Sequence, residues 1–307
     1  MTGTVRYAYA QKTLSSGATT GGMGLEKAAI DFAISEDIEG LGKVSGGFGI
    51  AATGSDVAAA GRDAFIKLDM GSMGSIKMDN VYSYSWLGGV ASPGSVAYCS
   101  FTSGDCTSGV GMFSTYGYQD DLIYSLKLSD SLSISVSHTE PSTGVGGGGA
   151  AGTQYIYSGG TGSSQRYNTY SGTFQSGALT IAGGYRTYDG AAQSTKDSNF
   201  RHRAAASYDM GVAKVGAGYE TTQNTYGATT TDTVIGLSAP LGALTVSAQY
   251  GQRAIAGSTA DSSYAGNIYA ASYALSKRTS VDGTYISNQS SGTSNPSFFI
   301  TRLVHTF

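Results

Sequence analysis

Nowhere in its 307 residues does the chain carry the roughly 18 consecutive apolar residues that a membrane-spanning helix needs. Charge is scarce as well: 13% of residues are Asp, Glu, Lys or Arg, against about 25% in an average soluble domain. Proline occurs four times, tryptophan once and histidine three times. His138, His202 and His305 sit in distant segments without metal-ligand spacing, so they define no metal centre. The only cysteines are Cys99 and Cys106, close together in a Gly/Ser-rich stretch with no histidine beside them. They read either as a disulfide pinching a loop, which implies an oxidising compartment, or as two unpaired thiols. A net charge of -3 gives no electrostatic footing for nucleic acid. No cofactor is expected; the sequence leaves a bound calcium ion open.

What the chain does hold is 46 Gly and 22 Tyr. Such a composition also occurs in disordered, low-complexity chains, but the periodicity here is that of strands. Val5, Tyr7 and Tyr9 alternate with Arg6, Ala8 and Ala10; Leu132, Ile134 and Val136 alternate with Ser133, Ser135 and Ser137. Ile66, Leu68, Ile76 and Met78 share one beat, with Lys67, Asp69, Lys77 and Asp79 on the other. Burying that second set in a dry core is prohibitive unless it is paired, so that face must meet water. Segments of about ten residues recur to the end of the chain, joined alternately by tight turns and by longer loops. Two connections are long, about 84–119 and about 140–164. They yield roughly sixteen strands, with short turns at one end and long loops at the other.

A propeller, β-helix or large sandwich would bury one face of each strand in a branched-residue core, and would leave no place for mid-strand arginine and lysine. The pattern therefore predicts an all-β fold: a single transmembrane antiparallel barrel over 1–307, apolar towards lipid and hydrated within. The final stretch, PSFFITRLVHTF, fits a strand that closes the sheet and ends on an interfacial aromatic, Phe307. A chain of this kind implies an export leader that has been removed.

The segment Tyr273-Ala-Leu-Ser-Lys-Arg-Thr279, followed by Tyr285, Asn288 and the closing ITRLVHTF, resembles the trimeric general-diffusion porins of Gram-negative outer membranes. ISEDIEGLGKVSGGF, RDAFIKLDMGSMGSIKMDN and YDMGVAKVGAGYE carry the same resemblance, which spans nearly the whole chain. It implies sixteen antiparallel strands, a homotrimer in outer-membrane lipid and lipopolysaccharide, and a third loop folded into the lumen as a constriction, here about 84–119. The acidic motif usual in that loop has no counterpart in SYSWLGGVASPGSVAYCSFTSGDC.

Pores select by diameter and by charged side chains in the lumen. Arg6, Arg186, Arg201, Arg203, Arg253, Arg278 and Arg302 stand on the hydrated beat as a basic wall, with Arg201 and Arg203 on one strand and one face. Opposite them the reading places Asp105 of the loop, with Asp120 and Asp121 at its return. The two Lys/Asp sets at 67–79 read as pairs within the wall. The expected function is passive diffusion of small hydrophilic solutes and ions with mild anion preference. The rival is a channel specific for a sugar or organic anion, with Tyr82, Tyr84, Trp86 and Tyr98 as a stacking track, although those aromatics serve equally to pack the loop. Outer-membrane proteases and phospholipases are barrels too; their smaller strand number argues against an enzyme.

Overall fold

The computed structural model describes residues 1–13, 16–52, 60–85, 88–91, 93, 114–141, 166–189, 198–224, 227–257, 262–290 and 297–307. Five strands come first: β1 (Thr2–Thr13), β2 (Thr19–Ile38), β3 (Gly42–Ala52), β4 (Ala60–Asp69) and β5 (Ser75–Ser85). A single helical turn, α1 (Gly88–Ala91), follows. Then come β6 (Ser114–Lys127), β7 (Leu132–Pro141), β8 (Arg166–Ser176), β9 (Leu179–Asp189), β10 (Ser198–Asp209) and β11 (Lys214–Asn224). The chain finishes with β12 (Thr229–Leu241), β13 (Leu244–Ala256), β14 (Ser262–Ala274), β15 (Thr279–Ser290) and β16 (Ser297–Thr306). Each strand pairs antiparallel with its neighbours in sequence, and β16 returns to β1, so the sheet is a closed barrel of sixteen strands. Closure removes both edges, the groups that otherwise invite aggregation. No helix of the described residues is long and apolar enough to cross a membrane; strands make up the wall.

The seam is tight. Gly3 and Phe307 exchange backbone hydrogen bonds of 2.8 and 3.0 Å, and the Phe307 ring occupies the space a Cβ on Gly3 would need. The connections after β2, β4, β6, β8, β10, β12 and β14 are tight turns. Gly177, Gly211 and Gly242 supply the positive φ that three of them use (54°, 80° and 68°). Two sequence boundaries shift. The loop expected at about 84–119 is shorter, because β5 runs on to Ser85 and β6 starts at Ser114. The turn between β14 and β15 takes in residues 275–278, closed by Leu275 N–H donating to Thr279 at 2.9 Å.

The wall is inside out relative to a soluble domain. Tyr7, Ile34, Phe48, Met78, Val136, Ile181, Tyr219, Ile235 and Leu303 are exposed on its outer face, while Glu26, Arg203, Glu220, Asp232 and Arg302 are buried. Tyr170 lies opposite Tyr185, and Tyr269 opposite Tyr285, itself opposite Phe299, giving runs of aromatics around the outside. An apolar surface this continuous matches hydrocarbon with an interfacial aromatic girdle, and far exceeds the patches soluble monomers expose.

Candidate functional site

Alternation sends Arg186, Arg201, Arg203, Glu220, Asp232 and Arg253 to the inner face of β9–β13. Arg203 stands opposite Glu220, Glu220 opposite Asp232, and Asp232 opposite Arg253. Glu220 receives Arg203 in a direct ion pair and lies 3.5 Å from Arg201, which also donates to Thr222 at 3.1 Å. Arg253 grips Asp232 in bidentate fashion, Nε to Oδ1 at 2.7 Å and Nη2 to Oδ2 at 2.6 Å. Arg186 faces Arg201 across the strands; it donates to Thr169 at 2.9 Å and rests 3.9 Å from the centre of the Tyr167 ring. Four guanidinium groups thus share this row with two carboxylates. The pairing is what makes burial tolerable, since a lone buried charge costs several kcal/mol.

A second charged group straddles the seam. Glu26 of β2 accepts Arg302 of β16 at 2.8 Å and Arg6 of β1 at 3.4 Å. The first contact crosses over β1 at Ala8, whose partners on either side are Gly24 and Arg302, so small side chains open the gap for it. Asp282, opposite Arg302, accepts Ser272 at 2.6 Å and Ser280 at 3.0 Å. A third group lies on β4–β7: Lys67 pairs with Asp69 at 3.2 Å, Lys77 with Asp79, and Thr139 donates to Asp121, which faces Asp79.

The described part of the connection between β5 and β6 is inside the barrel. Ala91 of α1 is wholly buried against Ala205 of β10 and Val234 of β12, with Val90 packed beside it. Ala205 and Val234 are inward positions, each two residues nearer the tight turns than Arg203 and Asp232. The segment therefore lies against the wall just below the charged row. Pro93 continues towards the turns, where it lines a cavity of about 300 Å³ with Asp209, Lys214, Ser238, Pro240 and Thr245.

Of the sequence-predicted residues, Arg6, Arg186, Arg201, Arg203, Arg253 and Arg302 all sit on the inner face. Arg278 does not: it is exposed in the turn between β14 and β15, because β15 begins only at Thr279. Asp120 and Asp121 are not loop acids. Both belong to β6, opposite Asn80 and Asp79, since that strand begins six residues before Asp120. Tyr82 and Tyr84 belong to β5. Trp86, Tyr98, Cys99, Asp105 and Cys106 lie outside the described residues, as does the proposed disulfide. The acids that meet the arginines, Glu26, Glu220 and Asp232, were missed by sequence reasoning, which looked for them on a loop. Each histidine lies on the outward beat: His138 meets Asn168 at 2.9 Å, His202 stacks with Tyr185 and leans at a tilt on Phe200, and His305 meets Thr279 at 3.0 Å. Among the described residues no three His, Cys, Asp or Glu converge as a metal site would require.

A closed sixteen-strand barrel with an apolar exterior, an ion-paired interior and a segment folded inward defines a transmembrane pore. The chain belongs to the Gram-negative porin family, whose pattern matches residues 2–293. It is accordingly an outer-membrane diffusion channel. Among solved structures it is similar to the anion-selective porin from Comamonas acidovorans, at 16% identity and a TM-score of 0.70, covering 100% of this chain and 98% of that one. OmpF of Salmonella typhi, solved with daunomycin, aligns at 15% identity and a TM-score of 0.73 over 100% and 96% of the two chains. The trimer form of OmpT from Vibrio cholerae aligns at 11% identity and a TM-score of 0.67 over 100% and 99%. At these identities the likeness is one of fold. No curated protein matches the chain.

Proposed function

We propose that the protein is a general-diffusion porin with mild anion preference, passing small hydrophilic solutes and ions without a dedicated substrate site. The observation that carries this is the row on β9–β13, where Arg186, Arg201, Arg203 and Arg253 outnumber Glu220 and Asp232. The surplus positive charge stands on the inner wall of the barrel, where fixed charge biases the passing ions. A structural neighbour described as anion-selective is consistent with that sign. Wall charges largely committed to each other leave a weak net field, hence a mild preference. The same reading makes the protein a channel and not a hydrolase, since its histidines occupy the outward beat. It has the chain exported behind a leader later removed, and assembled as a homotrimer among outer-membrane lipid and lipopolysaccharide; a neighbour solved in a trimer form supports the assembly.

Reversal potentials in a salt gradient test the preference. The wild type is expected to favour chloride over potassium, and R186A and R201A to move the reversal potential towards cations. Cation selectivity in the wild type would refute the sign. Saturable block by a sugar or organic anion would favour a substrate-specific channel.

A further inference from the structure

We infer that Gly216 positions the inward segment and thereby sets the width of the passage, an inference that rests on the diffusion-channel reading. A glycine within a strand weakens it, and its usual reasons are a left-handed backbone or the close approach of another main chain. Gly216 of β11 has no positive φ. The second reason holds instead. A Cβ at this position would collide with the carbonyl oxygen of Val90, and would lie 2.8 Å from the carbonyl oxygen of Ala91 and 2.7 Å from Cδ of Pro93. All three fall inside the roughly 3.5–4.0 Å of ordinary van der Waals contact. Two of the three are main-chain atoms, so no rotamer change clears the way.

The seat around it is built from small side chains. Gly236 of β12 stands opposite Gly216, and Ala205 and Val234 close over Ala91. Four inward positions on three strands thus combine to let a main chain lie flat on the wall. A side chain at 216 lifts Val90, Ala91 and Pro93 off that seat. The wall blocks movement outward, so the displacement is into the lumen and the open cross-section shrinks. Gly216 touches no permeating solute in this account. It acts through the segment it seats.

The test is single-channel conductance in planar bilayers, together with the exclusion limit for neutral polyethylene glycols, for the wild type, G216A and G216V. Heat-modifiable gel mobility verifies that each barrel is folded. Conductance and exclusion limit are expected to fall from wild type to G216A and further to G216V. Ion selectivity should hold, because no charge has changed. G283V is the control: nothing lies within 4 Å of a Cβ there, and wild-type conductance is expected. Adding A91G to G216A should restore nothing, because the obstacle is main chain. Should G216V fail to fold, G216A carries the test. Wild-type or raised conductance in a folded 216 variant, or rescue by A91G, overturns the inference. A wild-type protein that does not conduct in the same bilayers overturns the channel reading instead, so the two failures are distinct.

Discussion

The Asp232–Arg253 pair allows a prediction about which partner matters more. The two side chains share both hydrogen bonds, yet their exposure differs: the Asp232 side chain is 1% exposed and that of Arg253 27%. Removing Arg253 strands a carboxylate with no water of its own, the situation for which losses of about 3–5 kcal/mol are typical. Removing the charge of Asp232 leaves a guanidinium already partly open to the lumen. It retains part of its hydration, and the cost falls to about 1–3 kcal/mol, the range for an unsatisfied buried polar group. R253A is therefore expected to destabilise the barrel more than D232N. The double variant D232N/R253A should recover part of the loss, with a coupling of about 0.5–3 kcal/mol for residues in contact. Reversible urea unfolding in lipid vesicles gives the stabilities. Bilayer reversal potentials give a second readout, D232N moving towards anions and R253A towards cations. If D232N costs as much as R253A, or the double variant costs the sum of the two, burial and pairing do not govern this row as argued.

Further outcomes concern the seam and the turns. E26Q should lower stability by about 3 kcal/mol or more, because it releases Arg302 and Arg6 together; thermal loss of heat-modifiable mobility measures it. G3V should destabilise by about 1–3 kcal/mol by driving the Phe307 ring from its place, and G3V/F307A should regain stability in the same assay. In the exposed turn after β6, Lys127 bonds Asp130 at 2.9 Å and holds its carboxyl below the ordinary value of 3.8. A depressed carboxylate favours the folded state above the unfolded pKa, and that contribution is lost as pH falls through the folded one. Carboxyl NMR should show Asp130 titrating below 3.8 in the wild type and moving up towards it in K127A.

The strand number, the two faces and the inward arginines were legible because period-two alternation holds along most of the wall, interrupted where the register shifts, as in β2 opposite Arg6 and Tyr7. Leu132 to Ser137 alone separates an apolar face from a hydroxyl-lined one. Arg278 misled because a four-residue turn continues the apparent alternation of the strand after it. The carboxylate partners were legible in principle. In a hairpin with a tight turn, residues equally distant from the turn face each other: Arg203 stands six before Asp209 and Glu220 six after Lys214, and Asp232 mirrors Arg253 in the same way. Glu26 is a different case. Its strongest partner lies beyond an intervening strand, reached past the small Ala8–Gly24 pair, and the register shift between Arg6 and Tyr7 turns it inward against the beat of the residues that follow. Nor could sequence reveal why Gly216 is a glycine, since the chain it accommodates arrives from 125 residues away.

Glu26 and Arg302 are 276 residues apart along the chain. Their bond cannot exist until almost the entire polypeptide has crossed into the compartment where it folds, so every earlier intermediate carries two raw strand borders and lacks this link between them. Such a species is sticky and costly to bury in lipid, which makes the finished ring easy to tell from an abandoned one. Assembly is thus weighted towards its final step, and a chain stalled one strand short forfeits the clasp altogether.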